Sequence, residues 1–214
     1  MLELLLPPAC ASCGRYGELL CPTCIRSFRP AGSSADRFAS ADAGVVLGEQ
    51  FEMALAAFAH AGAARRSLQR LKYGGAGRIA GPLACAALPE FRRLIEISGP
   101  APLVPVPVHA ARLRQRGYNQ AALLARELGS AAGMPVIDLL ERRRPTGRQH
   151  GLNRAARLAN LRGAFGVRSG MTPPPVVILV DDILTTSATL EACAAVLRGA
   201  GCERVFGFAI AREV

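Results

Sequence analysis

Apolar and polar positions alternate along this chain in blocks that predict short strands separated by helices. Residues 176–180 read Val-Val-Ile-Leu-Val between Pro173-Pro174-Pro175 and Asp181-Asp182. Five apolar, mostly β-branched residues are too short for a typical helix, so they predict a buried strand of a parallel sheet that stops at the two carboxylates. A helix is expected from Ser187 to Leu197, stopped by Gly199 and Gly201, and then a strand from Arg204 to Ala211. Upstream, Val45–Leu47 and Ala54–His60 are strand-like, Ala63–Leu71 is helix-like, and Gly81–Ile97 is an amphipathic helix with Pro82 suited to its first turn. Leu103–Val108 carries two prolines, which suits an edge position or a strand ending in an irregular turn. A basic loop then leads to a helix over Gln120–Leu128 that Asn119 can cap. Val136–Leu140 and Ala164–Val167 complete the strands, with a helix or flap between them at Leu152–Arg162. Strands alternating with helices predict an α/β fold, a mostly parallel sheet flanked by helices.

The first thirty residues follow a different rule. Cys10-Ala-Ser-Cys13 and Cys21-Pro-Thr-Cys24 are two C-x2-C pairs seven residues apart, with Gly14 and Gly17 beside them. Two such knuckles let four thiolates converge on one Zn²⁺, which folds a segment too small for a core of its own. Disulfides suit a chain with an export signal, and the apolar Met1–Leu6 lacks a basic flank and runs at once into Pro7-Pro8. Short paired spacing also disfavours an iron–sulfur cluster or redox dithiols. The remaining Cys85, Cys193 and Cys202 lie in apolar stretches and are expected to pack inside. Small polar residues then suggest a linker. The expected division is a zinc-ribbon module at 1–30, a linker at 31–43 and a larger domain at 44–214. No uninterrupted apolar stretch is long enough for a membrane helix, and a cytoplasmic location is expected.

Charge narrows the partners. The formal charge is +10 and the pI about 10.1, which calls for anions, either the phosphates of a small molecule or those of nucleic acid. Of 26 basic residues only Lys72 is Lys, so a compact ammonium is either needed there or retained by chance. Three arginines, Arg112, Arg114 and Arg116, precede Gly117, which suits a pyrophosphate or a solvated basic surface. No Asp or Glu occurs from Arg142 through Val180, where seven arginines fall between residues 142 and 162.

The strand before Asp181-Asp182 should place both carboxylates outside its carboxyl end, where open α/β sheets hold ligands. Thr185, Thr186, Ser187 and Thr189 crowd the next turn, and a hydroxyl-lined helix start suits a phosphate. The plainer reading is an acidic strand end followed by an ordinary helix cap. A hydrophobic strand followed by Asp-Asp-x-x-Thr-Thr-x-x-Thr resembles the phosphoribosyl pyrophosphate (PRPP) signature of type I phosphoribosyltransferases. That resemblance implies carboxylates on the ribose hydroxyls and a loop, Thr185 to Thr189 including Ala188, around the 5-phosphate. The family usually has Gly where Ser187 stands, and a Cβ there crowds the phosphate or asks for a different backbone angle, since Gly alone adopts positive φ freely.

The whole set is similar to the ComF family. It comprises the four cysteines, Leu71-Lys72-Tyr73, Val104-Pro105-Val106-Pro107, Arg112 through Gln120, Gln149 with Arg157, Asn160 and Phe165, and the loop from Asp181 to Thr189. These proteins resemble phosphoribosyltransferases fused to a zinc ribbon and are associated with natural competence. The resemblance implies structural Zn²⁺ on Cys10, Cys13, Cys21 and Cys24, and PRPP with Mg²⁺. Asp181 and Asp182 would be the catalytic pair, with Lys72, Arg112 and Arg116 near the pyrophosphate. Three readings stay open: a phosphoribosyltransferase of unknown acceptor, a non-catalytic adaptor that handles single-stranded DNA or a competence protein and keeps a vestigial pocket, or a PRPP-sensing regulator that binds without turnover.

Overall fold

A computed structural model of the chain describes residues 7–32, 44–73, 77–144, 161 and 163–213. Residues 33–43 of the linker expected at 31–43, Gly74-Gly75 and the arginine-rich stretch from 145 to 160 lie outside the described residues. The strands are β1 (Val45–Leu47), β2 (Met53–Ala59), β3 (Leu103–Pro105), β4 (Leu140–Arg142), β5 (Phe165–Val167), β6 (Val176–Leu184) and β7 (Arg204–Arg212). The α-helices are α1 (Pro22–Arg26), α2 (Gly62–Tyr73), α3 (Ala80–Ser98), α4 (Ala110–Arg116), α5 (Gln120–Ala132) and α6 (Ala188–Gly199).

A five-stranded sheet runs β1-β2-β7-β6-β3, with β1 antiparallel at one edge and the other four parallel. Strand β6 lies between β7 and β3, and both of its faces are covered. Ile178 and Val180 join Phe206, Phe208 and Ile210 against Leu68, Phe91 and Leu124 of α2, α3 and α5. Val177 and Leu179 join Val205 and Ala209 against Leu190, Cys193 and Leu197 of α6 and Phe165 of β5. Two covered faces explain why the strand reads as an unbroken apolar run. Strand β3, which ends on Pro105, forms the other edge, where its ladder partner is β6. Among the described residues no helix is long and apolar enough to cross a membrane.

The cysteine segment is seated on this core. Cys10, Leu20, Cys21, Cys24 and Phe28 share one apolar cluster with Leu55, Leu68 and Ile210. The Phe28 ring meets Phe58 edge-on, with centroids 4.9 Å apart. Ala31 N–H donates to the Ala57 carbonyl at 3.2 Å and Ala59 N–H to the Arg29 carbonyl at 2.8 Å, so residues 29–31 lie beside β2 beyond the stretch that β1 covers.

Three expectations change. The basic stretch after β3 is the helix α4, capped by His109, whose Nδ1 accepts from Ala111 N–H at 3.2 Å, and ended by Gly117 at φ 81. It buries no residue, so no apolar periodicity announces it. The strand predicted over Val136–Leu140 shrinks to a bridge from Val136 to Leu103, and the extended structure that follows, Leu140–Arg142, pairs with β5 in a separate two-stranded sheet. Cys85 is exposed, whereas Cys193 and Cys202 are buried.

Candidate functional site

Strand β6 does not stop at its carboxylates. Asp181 still pairs with Ala209, and the ladder continues to Leu184 opposite Arg212, because Ile183 and Leu184 find a parallel partner in β7. Successive side chains on a strand face opposite ways, so the two acids are divided between environments. Asp182 is buried on the α2 side, where Lys72 Nζ stands 2.8 Å from its Oδ2. On the α6 side Arg142 and Cys193 feel the Asp181 charge, and Asp181 Oδ1 accepts from Asp182 N–H at 2.8 Å. Burial, and after it the Asp182 carboxylate, pushes Asp181 up to about 8 against the pull of that N–H and of Lys72.

The sign of this shift sets a pH dependence. Asp181 holds its proton more tightly in the folded chain than in the unfolded one. Its contribution to stability is therefore complete below the ordinary carboxylate range and is lost as pH rises toward about 8. Asn cannot ionise. Asp181→Asn is expected to gain stability relative to the wild type as pH rises from 5 to 8, roughly one to several kcal/mol being at stake. Denaturation midpoints of both chains across that range check it, and parallel curves would sink the idea.

Beyond β6 the chain turns through the hydroxyl residues. Thr185 is exposed, while Thr186 Oγ1 is buried and meets no hydrogen-bonding partner among the described residues. Ser187 stands at φ 60, ψ 0 at the N-cap of α6, its side chain making no capping bond, with Ala188 and Thr189 in the first helical turn. Among the described residues Ser187 is the one non-glycine with positive φ. That conformation costs an L-residue roughly 1–2 kcal/mol, part of which Gly returns as unfolded-state entropy. Ser187→Gly is accordingly expected to stabilise the chain by up to about 1 kcal/mol, measured as a shift in denaturant midpoint. Glu191, one turn on, is buried and accepts the N–H groups of Glu49 and Gln50 at 3.0 and 2.9 Å, tying the β1–β2 turn to the start of α6. A cavity of about 370 Å³ opens there, lined by Ala188, Glu191, Ala192, Phe165, Glu49 and Gln50 among others; neither Asp181 nor Asp182 lines it.

The predicted basic residues separate into two groups. Lys72 is joined to the acid pair. Arg116 lies 5.1 Å over the exposed Tyr73 ring, its buried Nε without a partner among the described residues, and Arg112 is exposed on α4. Arg142, named at first only as part of a basic run, lies 5.2 Å over Phe165 and close enough to Asp181 and Arg112 to feel both charges. His60 went unremarked in the sequence. It follows β2 directly, its N–H donates to the Arg212 carbonyl at 2.7 Å, and its Nε2 is buried without a partner among the described residues. Burial and then the Lys72 charge lower its affinity for a proton. Its place at the carboxyl end of a predicted strand was the available signal.

The four N-terminal sulfurs lie within 4.8 Å of one another, and Cys13 Sγ and Cys21 Sγ are 3.8 Å apart. A tetrahedral ion with Zn–S bonds near 2.3 Å requires S···S edges of about 3.8 Å, so the donors fit structural zinc. Burial pushes the Cys10 thiol up, but the backbone groups of Cys13, Cys21 and Ser12 outweigh it and bring it down to about 6, toward the thiolate a metal needs. Among the described residues these cysteines are the only group of three or more side chains placed to hold an ion. Asp181 and Asp182, one of them already paired with Lys72, do not make a Mg²⁺ site by themselves.

No protein-family model matches the chain. It is 33% identical over 129 residues to Competence protein F of Haemophilus influenzae, covering 59% of this chain and 56% of that protein. It is 36% identical over 109 residues to Competence protein ComFC of Streptococcus pneumoniae, covering 51% and 47%. With DNA utilization protein YhgH of Salmonella typhimurium the identity is 32% over 151 residues, covering 69% and 66%. The matches thus span about half to two thirds of the length of these relatives. With the N-terminal cysteine cluster and the mostly parallel α/β sheet in place beside these relatives, the chain belongs to the ComF family.

Proposed function

We propose that the chain binds PRPP at the carboxyl end of β6, in a fold of the type I phosphoribosyltransferase kind, and serves natural competence and DNA uptake in the cytoplasm. The observation that carries this reading is the junction itself. Of the divided acid pair Asp182 meets Lys72, and a buried Thr186 hydroxyl, without a hydrogen-bonding partner among the described residues, leads through a left-handed Ser187 into α6. Asp182 and Asp181 orient the ribose hydroxyls, and the Asp182 charge favours positive character at C1. Thr185, Thr186, Ser187, Ala188 and Thr189 hold the 5-phosphate at the helix start. Lys72, Arg112 and Arg116 face the pyrophosphate. Mg²⁺ bound with PRPP would add to the neutralisation of leaving-group charge that Lys72, Arg112 and Arg116 supply. In the transferase reading, a nucleophile from an unidentified acceptor forms the new bond to C1 as the C1–O bond breaks, and pyrophosphate leaves with the bonding pair. Equilibrium binding of PRPP with Mg²⁺, together with an assay for released pyrophosphate, tests both steps. Binding without release leaves a PRPP-binding protein that does not turn over, and no binding at millimolar PRPP removes the reading.

A second reading rests on the surface. Tyr16 and Tyr73 are 69% and 75% exposed, and Arg66 and Arg70 line a groove with Tyr73 on α2. Exposed aromatic rings among arginines suit the bases and phosphates of single-stranded DNA. This face, or the cysteine segment, is then where DNA or a competence protein is engaged. DNA binding that weakens steeply with salt and persists in an Asp181→Asn, Asp182→Asn double variant supports it, because phosphate contacts follow counterion release and not the pocket.

A further inference from the structure

We propose that Lys72 makes the acid site selective for pyrophosphorylated sugar over sugar monophosphate, by holding Asp182 in an ion pair until a pyrophosphate draws the ammonium away. The inference rests on the PRPP reading above and adds to it a rule for which ligands the site accepts.

The geometry is that of a lock. Lys72 Nζ lies 2.8 Å from Asp182 Oδ2, with the two side chains 23% and 12% exposed. A ribose hydroxyl that seeks Asp182 must compete with an ion pair, a full positive charge 2.8 Å from the oxygen it would reach. A sugar monophosphate seated at the hydroxyl turn brings nothing to Lys72, so the pair persists and one of the two ribose-binding carboxylates stays occupied. A pyrophosphate at C1 brings further anionic oxygens, for which the ammonium exchanges its partner. Asp182 is then released as the ribose arrives.

The surroundings allow this exchange to occur in the side chain alone. Lys72 is the penultimate residue of α2. The carbonyl just before it, that of Leu71, accepts from Tyr118 Oη at 2.6 Å, which fixes the helix end while leaving the lysine stem to turn. Arg116 stands over the neighbouring Tyr73 ring, which puts a second cation beside the end of α2 where Lys72 must be drawn. Lys also suits an exchange better than Arg does. Its ammonium is a point charge on a flexible stem, whereas a guanidinium fork would bind a carboxylate in two contacts and release it less readily. This is the one position where an otherwise arginine-only chain keeps lysine.

Binding of ribose 5-phosphate and of PRPP, measured calorimetrically at one fixed Mg²⁺ concentration for the wild type, Lys72→Met and Lys72→Arg, tests the lock. The wild type should bind PRPP at least about thirtyfold more tightly than ribose 5-phosphate. In Lys72→Met, ribose 5-phosphate should bind about tenfold more tightly than to the wild type, a gain of about 1.4 kcal/mol, while PRPP binds more weakly. Lys72→Arg keeps the charge and should show no gain for ribose 5-phosphate; it also guards against a Met variant that fails to fold. Unchanged or weaker ribose 5-phosphate binding in Lys72→Met, or a gain in Lys72→Arg, overturns the lock while PRPP binding by the wild type leaves the site reading intact. Absence of PRPP binding by the wild type overturns the site reading, and the lock with it.

Discussion

Replacing Cys10 or Cys21 with Ser, or stripping the chain with a strong chelator, is expected to destabilise the whole protein by more than about 4 kcal/mol, because loss of a structural metal is among the few changes of that size. Two features argue that the loss will not stay local. The four sulfurs are gathered within 4.8 Å, so a zinc ion held there would tie together two knuckles otherwise joined by backbone bonds such as Ala11 N–H to the Leu19 carbonyl at 2.9 Å. The segment it closes is also part of the main core: Phe28 packs on Phe58, the Arg29 carbonyl and Ala31 N–H are bonded to β2, and Arg66 Nε of α2 donates to the Ser12 carbonyl at 3.1 Å. Unfolding the knuckles exposes that flank of β2 and α2. The measurement is the denaturation midpoint together with bound zinc per chain. Cys85→Ser is the control, since an exposed thiol outside the cluster should change stability by less than about 0.5 kcal/mol. A chelated chain that melts where the loaded one does would remove the structural role.

The second large effect concerns Asp182. Asp182→Asn is expected to weaken PRPP binding by roughly ten- to a hundredfold, since hydrogen bonds to a charged group are worth about 1.5–3 kcal/mol. The fold should survive. Lys72 is not deeply buried and its stem can turn to water, so the ammonium left behind costs roughly 1 kcal/mol or less. This combination separates a binding residue from a structural one: intact melting with lost affinity. PRPP affinity within threefold of the wild type would show that the ribose is held elsewhere. Asp181→Asn should behave differently, because its carboxyl is held up to about 8 and is mostly neutral at pH 7, so much of its role there is already that of an uncharged side chain.

The fold was legible where one element carries its own pattern. The Val176–Val180 run announced a strand covered on both faces, Asn119 announced a helix start and does accept Ala121 N–H at 3.0 Å, and the prolines near Val104 announced an edge. Helix α4 was missed because a helix with no buried residue leaves no period to read. Strand β6 extends four residues past Val180, its expected end: acidic residues look like a stop signal, whereas pairing is decided by the neighbour, and β7 extends far enough to hold Ile183 and Leu184. Cys85 was expected inside because its stretch is apolar, yet it falls on the outer face of α3 while Leu83 and Ala84 point in.

The site divides along the same line. By itself the sequence determined which residue types were available: four cysteines at knuckle spacing, two acids followed by a hydroxyl turn, a single lysine among arginines. These are local facts, because short spacing fixes which side chains share a turn. Only the tertiary structure decided that the two acids answer to different faces of the sheet, that Lys72 is the counterion of Asp182, that Ser187 adopts the left-handed angle itself, and that His60 and Arg142 stand beside the pair. Those relations join α2, β2, β4 and β6, elements far apart in the chain. They depend on strand order and helix packing, which single out one set of long-range neighbours from the many that the same local patterns allow.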